Sequence, residues 1–110
     1  MTAVRACALA DVPEGGALRV ELADVDVAVV RFGGEVYAIE DLCSHADVPL
    51  SDGDVDEIDG APAIECAFHG SCFDLRTGRP THLPATAPVP VYPVRVEGDD
   101  VYVDVSAAST

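Results

Sequence analysis

The chain has 110 residues, enough for one domain with a real core. Twenty acidic residues against six basic ones give a formal net charge of -14, which argues against nucleic acid and anionic membranes as partners. No apolar run reaches the roughly 18 residues of a membrane span, and the N-terminus has one Arg and a weak apolar run soon broken by acid and Pro. The expectation is a cytoplasmic protein, monomeric at this charge, with a surface suited to steering toward a basic protein patch.

Nearly half of the residues are hydrophobic, yet Trp is absent and aromatics are few, so the core must be built from Val, Ala, Leu and Ile. β-Branched residues favour strands. Val4–Leu9 alternates weakly and reads as a first strand. Pro13 and Gly15-Gly16 mark a loop. Ala17–Leu22 alternates apolar with charged residues, the mark of a strand with one wet face. Ala23-Asp24 reads as a tight turn, and Val25–Phe32 is more apolar and more central. Gly33-Gly34 is a two-residue hairpin signal, with Glu35–Glu40 as the returning strand.

Short strands and turns follow. Ser51–Asp54 is a turn, Asp54–Ile58 an acidic strand and Asp59-Gly-Ala-Pro62 another turn. Ala63–Cys66 and Ser71–Asp74 are short strands, and Arg76-Thr-Gly78 closes a turn. Thr81–Pro88 reads as loop. Val89–Glu97 and Asp100–Val105 flank Gly98-Asp99 as a last hairpin, with Pro90 and Pro93 indicating an edge position or a bulge. Ser106–Thr110 is a small polar tail. Many short strands and no helix predict an all-β fold, sandwich-like or barrel-like, built from both ends of the chain around an inserted subdomain.

The insertion holds the chemistry. Cys43-x-His45 and Cys66-x-x-His69 each set a thiolate beside an imidazole, about twenty residues apart. Two soft sulfurs and two nitrogens make a metal site, with zinc or an iron–sulfur cluster as candidates. Zinc fingers of Cys₂His₂ type end in a recognition helix, whereas Gly70 and the strand-like Ser71–Asp74 leave no helix after His69. Four Cys also permit two disulfides, although that pattern belongs to secreted scaffolds. Cys72 reads as a strand residue packed near the site rather than a ligand, Cys7 as a core residue and His82 as a surface histidine. Asp74 and Arg76 are placed to pair across their turn, where an exposed pair contributes little.

These motifs together resemble the Rieske [2Fe–2S] proteins. The Cys-x-His and Cys-x-x-His pairs, Cys66-Ala-Phe-His69-Gly-Ser, Phe73-Asp-Leu-Arg-Thr-Gly78 and the closing Pro-Val-Tyr-Pro-Val-Arg-Val strand look like soluble Rieske ferredoxins over most of the chain. The resemblance implies one Rieske domain, with a base (1–40 and 84–110) and a cluster-binding subdomain (41–83). It implies that Cys43 and Cys66 ligate one iron and His45 and His69 the other. Two ferric ions, two sulfides, two thiolates and neutral imidazoles then sum to zero charge. An electron enters a neutral centre more easily than a four-Cys one, which fits the roughly -150 to +300 mV range of His-ligated clusters. The imidazoles keep a titratable nitrogen, so electron transfer is expected to couple to His protonation at high pH.

Respiratory relatives carry a disulfide between the two cluster loops; Val48 and Phe68 stand at those positions here. Ser71 sits where a Ser hydroxyl bonds a cluster sulfur, while Phe73 replaces a Tyr donor. Losing that donor, together with the acidic surplus, points to the low-potential half of the range. Leu83-Pro84-Ala85 resembles the proline loop that covers the cluster. The stretch between His45 and Cys66 is longer than in many soluble relatives, with Asp59–Pro62 as the extension. No acid, base or nucleophile set is visible, so the chain is not an enzyme by itself. The implied function is a one-electron carrier between a flavin-dependent ferredoxin reductase and a terminal aromatic-ring-type oxygenase. Alternatives are a free-standing Rieske protein of iron–sulfur assembly or redox, a small subunit of a larger reductase, and a structural zinc domain.

Overall fold

The computed structural model describes residues 3–22, 25–43, 48–58, 60–67, 70–82 and 87–105, with the side chain of residue 82 outside that set. The expected turn at 23–24, the tail at 106–110 and the proline loop at 83–85 lie outside the described residues. Eleven strands appear among the described residues, in three antiparallel sheets, with two single-turn 3-10 segments at Leu9–Asp11 and Leu50–Asp52.

The central sheet has the order β2 (Gly16–Leu22), β3 (Val25–Phe32), β4 (Glu35–Glu40) and β9 (Val91–Tyr92). Phe32 faces Glu35 across the hairpin, and both linking glycines have positive φ, 62° at Gly33 and 81° at Gly34. Two consecutive left-handed residues make the twist-compatible turn that L side chains resist, hence the Gly-Gly. β3 reads as a continuous apolar run because both of its faces are covered. Val27 and Val29 pack with Cys7, Val12, Ala38, Tyr92, Val101 and Val103 on one side. Ala28 and Val30 pack with Ile39, Leu50, Ile64, Phe73, Leu75 and Val89 on the other. A strand buried on both faces loses the wet–dry alternation of its neighbour β2.

The first of these faces is closed by a sheet of order β1 (Val4–Ala8), β11 (Asp100–Val103) and β10 (Val94–Glu97), which joins the two ends of the chain. The second is closed by the inserted sheet β5 (Asp54–Ile58), β6 (Ala61–Glu65), β7 (Cys72–Asp74) and β8 (Pro80–His82). The all-β expectation of a two-ended base with an insertion holds, and the insertion lies flat on the central sheet's second face.

Three local expectations change. The stretch Val89–Glu97 is two strands in two sheets: β9 pairs with β4, β10 pairs with β11, and Pro93 stands between them. Proline cannot donate to a ladder, so the chain switches sheets where that donor is missing, and both pieces are edge strands. The turn at 59–62 is shorter than expected, since Ile58 already faces Ala61 and Pro62 lies within β6 opposite Glu57. Finally, Pro80–His82 forms β8 on the edge of the inserted sheet, where a loop was expected; a three-residue strand beginning with Pro carries no alternation to read.

Candidate metal centre

Each cysteine of the two Cys/His pairs sits where a strand gives way to a loop. Cys43 follows β4, and its backbone N–H donates to the Val48 carbonyl at 2.9 Å, closing the first loop. Leu50, fully buried in the 3-10 turn after it, anchors that loop to the core. Cys66 follows β6, and its N–H donates to the Ser71 carbonyl at 2.6 Å, closing the second loop. The two cysteines are 3% and 1% exposed and belong to one packed cluster with Leu50, Ile64, Phe73 and Leu75. The topology thus brings together two thiols separated by more than twenty residues in sequence. Their expected co-ligands His45 and His69, and Phe68, lie outside the described residues.

The neighbouring residues sort by burial. Ser71 is fully buried at the foot of the second loop, and Phe73 is fully buried beneath it as one of the largest core side chains. Val48 packs against the same cluster, as an apolar side chain in place of a disulfide sulfur. None of the four cysteines forms a disulfide, so the bridged-scaffold alternative fails. Cys72 lies on β7 with its thiol directed to the Gly70 carbonyl at 3.6 Å. Burial first, and then the charge of Glu65, push that thiol's pKa up. Its place within β7, after the loop has closed, agrees with a strand residue packed near the site. Cys7 is buried in the distant core between the central and terminal sheets, as expected. Asp74 accepts from the Arg76 N–H at 2.8 Å and pairs with its guanidinium at 3.3 Å, fixing the turn after β7.

Two contributors escaped the sequence reading. Asp41, two residues before Cys43, is 2% exposed and accepts hydrogen bonds from Ser51 and Arg19. Nothing in the sequence marks which of twenty acidic residues is buried; the two-residue offset from Cys43 was the available signal. Gly53 has an extended backbone open to any residue (φ -90°, ψ -175°), but a Cβ there would overlap the Glu65 carbonyl. The return of the first loop therefore presses against the strand end that delivers Cys66, and only a glycine lets the two backbones approach so closely.

The donor set suits a soft metal centre: two buried thiols on facing loops within a dry aliphatic and aromatic shell. Over residues 2–93 the sequence matches the Rieske [2Fe-2S] domain family. The chain belongs to that family. Its cofactor is a Rieske [2Fe–2S] cluster, and the zinc alternative falls away. The Rieske chain is 44% identical over 108 residues to the 3-phenylpropionate/cinnamic acid dioxygenase ferredoxin subunit of Escherichia coli (strain K12), covering 98% of each. It is similar in structure to the ferredoxin of carbazole 1,9a-dioxygenase from Nocardioides aromaticivorans IC177, with a TM-score of 0.85, 39% identity, and 94% and 97% of the two chains covered. It also matches a chain in the complex of reduced oxygenase and oxidized ferredoxin of carbazole 1,9a-dioxygenase. There the TM-score is 0.80 at 39% identity, covering 92% of this chain and 91% of that one.

Surface electrostatics are one-sided. All six basic residues are arginines, and five are paired internally: Arg5 with Asp100, Arg19 with Asp26 and Asp41, Arg31 with Glu14, Arg76 with Asp74 and Arg95 with Glu97. The remaining carboxylates dominate the outward field. Asp52, Asp54 and Glu65 line an open cavity of about 310 Å³ whose wall includes Cys66 and Gly70, so negative charge concentrates beside the second cluster loop. No helix among the described residues is long and apolar enough to cross a membrane.

Proposed function

We propose that this Rieske protein is the ferredoxin component of an aromatic-ring-type oxygenase system, a one-electron carrier without catalysis of its own. The observation that carries this reading is the near-complete, two-way coverage of dioxygenase ferredoxin subunits, from end to end of both chains. The likeness to a chain in the complex of reduced oxygenase and oxidized ferredoxin of carbazole 1,9a-dioxygenase supports a terminal oxygenase as the electron acceptor.

In this reading Cys43 and Cys66 would ligate one iron of the cluster, and His45 and His69 the other. The bound cluster supplies storage of a single electron at modest potential. The chain's residues do the rest. The aliphatic shell of Ile39, Leu50, Ile64 and Leu75 keeps water from the thiolate side. Ser71 is buried beside the second loop, Phe73 puts an apolar ring where a second donor would stand, and a shielding role for Pro84 is what the resemblance to the family's proline loop implies. As ligands, His45 and His69 would each keep one ring nitrogen free to hold or release a proton. The chain is read as one domain, with a base (1–40, 84–110) that carries the cluster subdomain (41–83). Electrons arrive from a flavin-dependent ferredoxin reductase, and the carboxylates Asp52, Asp54 and Glu65 suit a basic rim on either partner. The protein is read as cytoplasmic and monomeric.

The test is stopped-flow mixing of the dithionite-reduced protein with an oxidised Rieske-type terminal oxygenase. Reoxidation of the ferredoxin band at a rate that rises with oxygenase concentration and falls with added salt supports the proposal. A reduced protein that stays reduced beside every such oxygenase, yet feeds a different class of acceptor, would overturn it.

A further inference from the structure

Among the described residues of the cluster region Asp41 is the buried carboxylate, and its side chain has no exposure at all. Desolvating a charged carboxylate is costly unless donors replace water. Three do. The Ser51 backbone N–H donates to Oδ1 at 2.6 Å, the Ser51 hydroxyl donates to Oδ2 at 2.6 Å, and Arg19 Nη1 donates to Oδ2 at 3.3 Å. The first two are short, charge-assisted bonds, the strong kind. They join positions ten residues apart, one just before Cys43 and the other just after the first loop has returned.

The clamp is itself fastened to the central sheet. Asp41's N–H donates to the Asp26 carbonyl at 2.8 Å on β3, and Arg19 on β2 reaches both Asp41 and the Asp26 carboxylate, the latter at 2.6 Å. Within the clamp, the Cys43 N–H to Val48 carbonyl bond closes a smaller ring, and Leu50 pins its far side in the core. Nothing covalent ties this loop, since no cysteine forms a disulfide and Val48 supplies only an apolar contact.

We infer that Asp41 is a positioning residue for the cluster: its carboxylate, gripping Ser51 and anchored by Arg19, holds both ends of the first ligand loop at fixed separation and so retains the metal centre. The inference rests on Cys43 and His45 being ligands. If the purified wild-type protein holds no cluster, that reading fails first, before any variant is compared.

The experiment follows cluster loss from oxidised holoprotein in excess iron chelator, read as bleaching of the visible band, beside urea unfolding read by far-ultraviolet circular dichroism. Ser51→Ala keeps the backbone N–H bond and removes only the hydroxyl, so it should fold and bleach about tenfold faster. Ser51→Thr should restore the rate. Asp41→Ala should bleach about a hundredfold faster, and the Asp41→Ala/Ser51→Ala double variant no faster than Asp41→Ala, because both act through one contact. Gly60→Ala, in the distant β5–β6 turn, serves as a variant destabilised without touching the clamp; it should bleach within about twofold of wild type. Ser51→Ala bleaching at the wild-type rate would overturn the inference. So would Gly60→Ala bleaching as fast as Ser51→Ala at matched loss of urea stability. If Asp41→Ala does not fold, the Ser51 pair and the glycine control still decide the matter.

Discussion

Gly53→Ala isolates how closely the two cluster loops are pressed together. The φ of -90° and ψ of -175° suit alanine, so the substitution adds no backbone strain. What it adds is a methyl group overlapping the Glu65 carbonyl, with the Glu65 carbonyl carbon at 2.9 Å and the Leu50 carbonyl at 3.2 Å. All three atoms are backbone and cannot swing aside as a side chain would. Relief requires the start of β5 to move off β6, at the Asp54–Glu65 register pair, one residue before Cys66. Overpacking costs about 1–3 kcal/mol, and a lost ladder bond adds about 1 kcal/mol, for about 3 kcal/mol in total. At about 4 °C per kcal/mol for a domain of this size, the melting temperature should fall by roughly 12 °C. Gly60→Ala provides the contrast: φ is +83° with nothing near the added Cβ, so only left-handed strain of about 1 kcal/mol, roughly 4 °C, applies. Thermal unfolding of both holoproteins, followed by circular dichroism, gives the comparison. Gly53→Ala melting at or above Gly60→Ala would refute the close-approach argument.

Other expectations concern the core, the pH response and the potential. Phe73→Ala, at a fully buried core position shared with both cluster cysteines, should cost about 3–5 kcal/mol in urea unfolding. A loss below about 1 kcal/mol would mean that Phe73 does not organise that core. Burial pushes the Asp74 carboxyl up, but the Arg76 guanidinium and the Arg76 and Thr77 N–H groups outweigh it and hold the pKa below the ordinary value. A depressed carboxyl stabilises the fold above its unfolded pKa of about 3.9 and loses that contribution as pH falls through the folded pKa. Asp74→Asn should therefore be less stable than wild type at pH 7, with the gap closing below about pH 4; a gap that persists unchanged in acid would contradict the pairing. Phe73→Tyr places a hydroxyl beside the second loop and should raise the reduction potential in protein-film voltammetry, whereas an unchanged or lower potential would remove Phe73 from the tuning argument. The potential should also fall with pH in the alkaline range as imidazole protons are lost, and a flat profile from neutral to strongly alkaline pH would sink proton coupling at His45 and His69.

The strands were legible because local rules and the global fold agree. β2 alternates since one face is wet, and Gly33-Gly34 and Gly98-Asp99 mark two-residue turns. The doubly buried β3 reads only as apolar, so the sequence indicated a central strand but not that the inserted sheet covers its second face. Pro93 hinted at an edge, yet its role as the switch between two sheets depends on which strands receive the two halves. The ligand pairs stood out through residue type and spacing. Asp41 and Gly53 did not, because their importance comes from what packs against them. A carboxylate becomes a clamp only when Ser51 and Arg19 reach it, and a glycine becomes obligatory only when Glu65 crosses it.

The most direct test is the absorption and electron paramagnetic resonance of aerobically purified protein before and after dithionite, with iron and labile sulfide assayed on the same sample. The account predicts a red-brown protein with about two irons and two sulfides per chain. On reduction by one electron it should give a rhombic signal whose average g lies below that of an all-cysteine cluster. A colourless protein with stoichiometric zinc, silent after reduction and unchanged by iron–sulfur reconstitution, would contradict it.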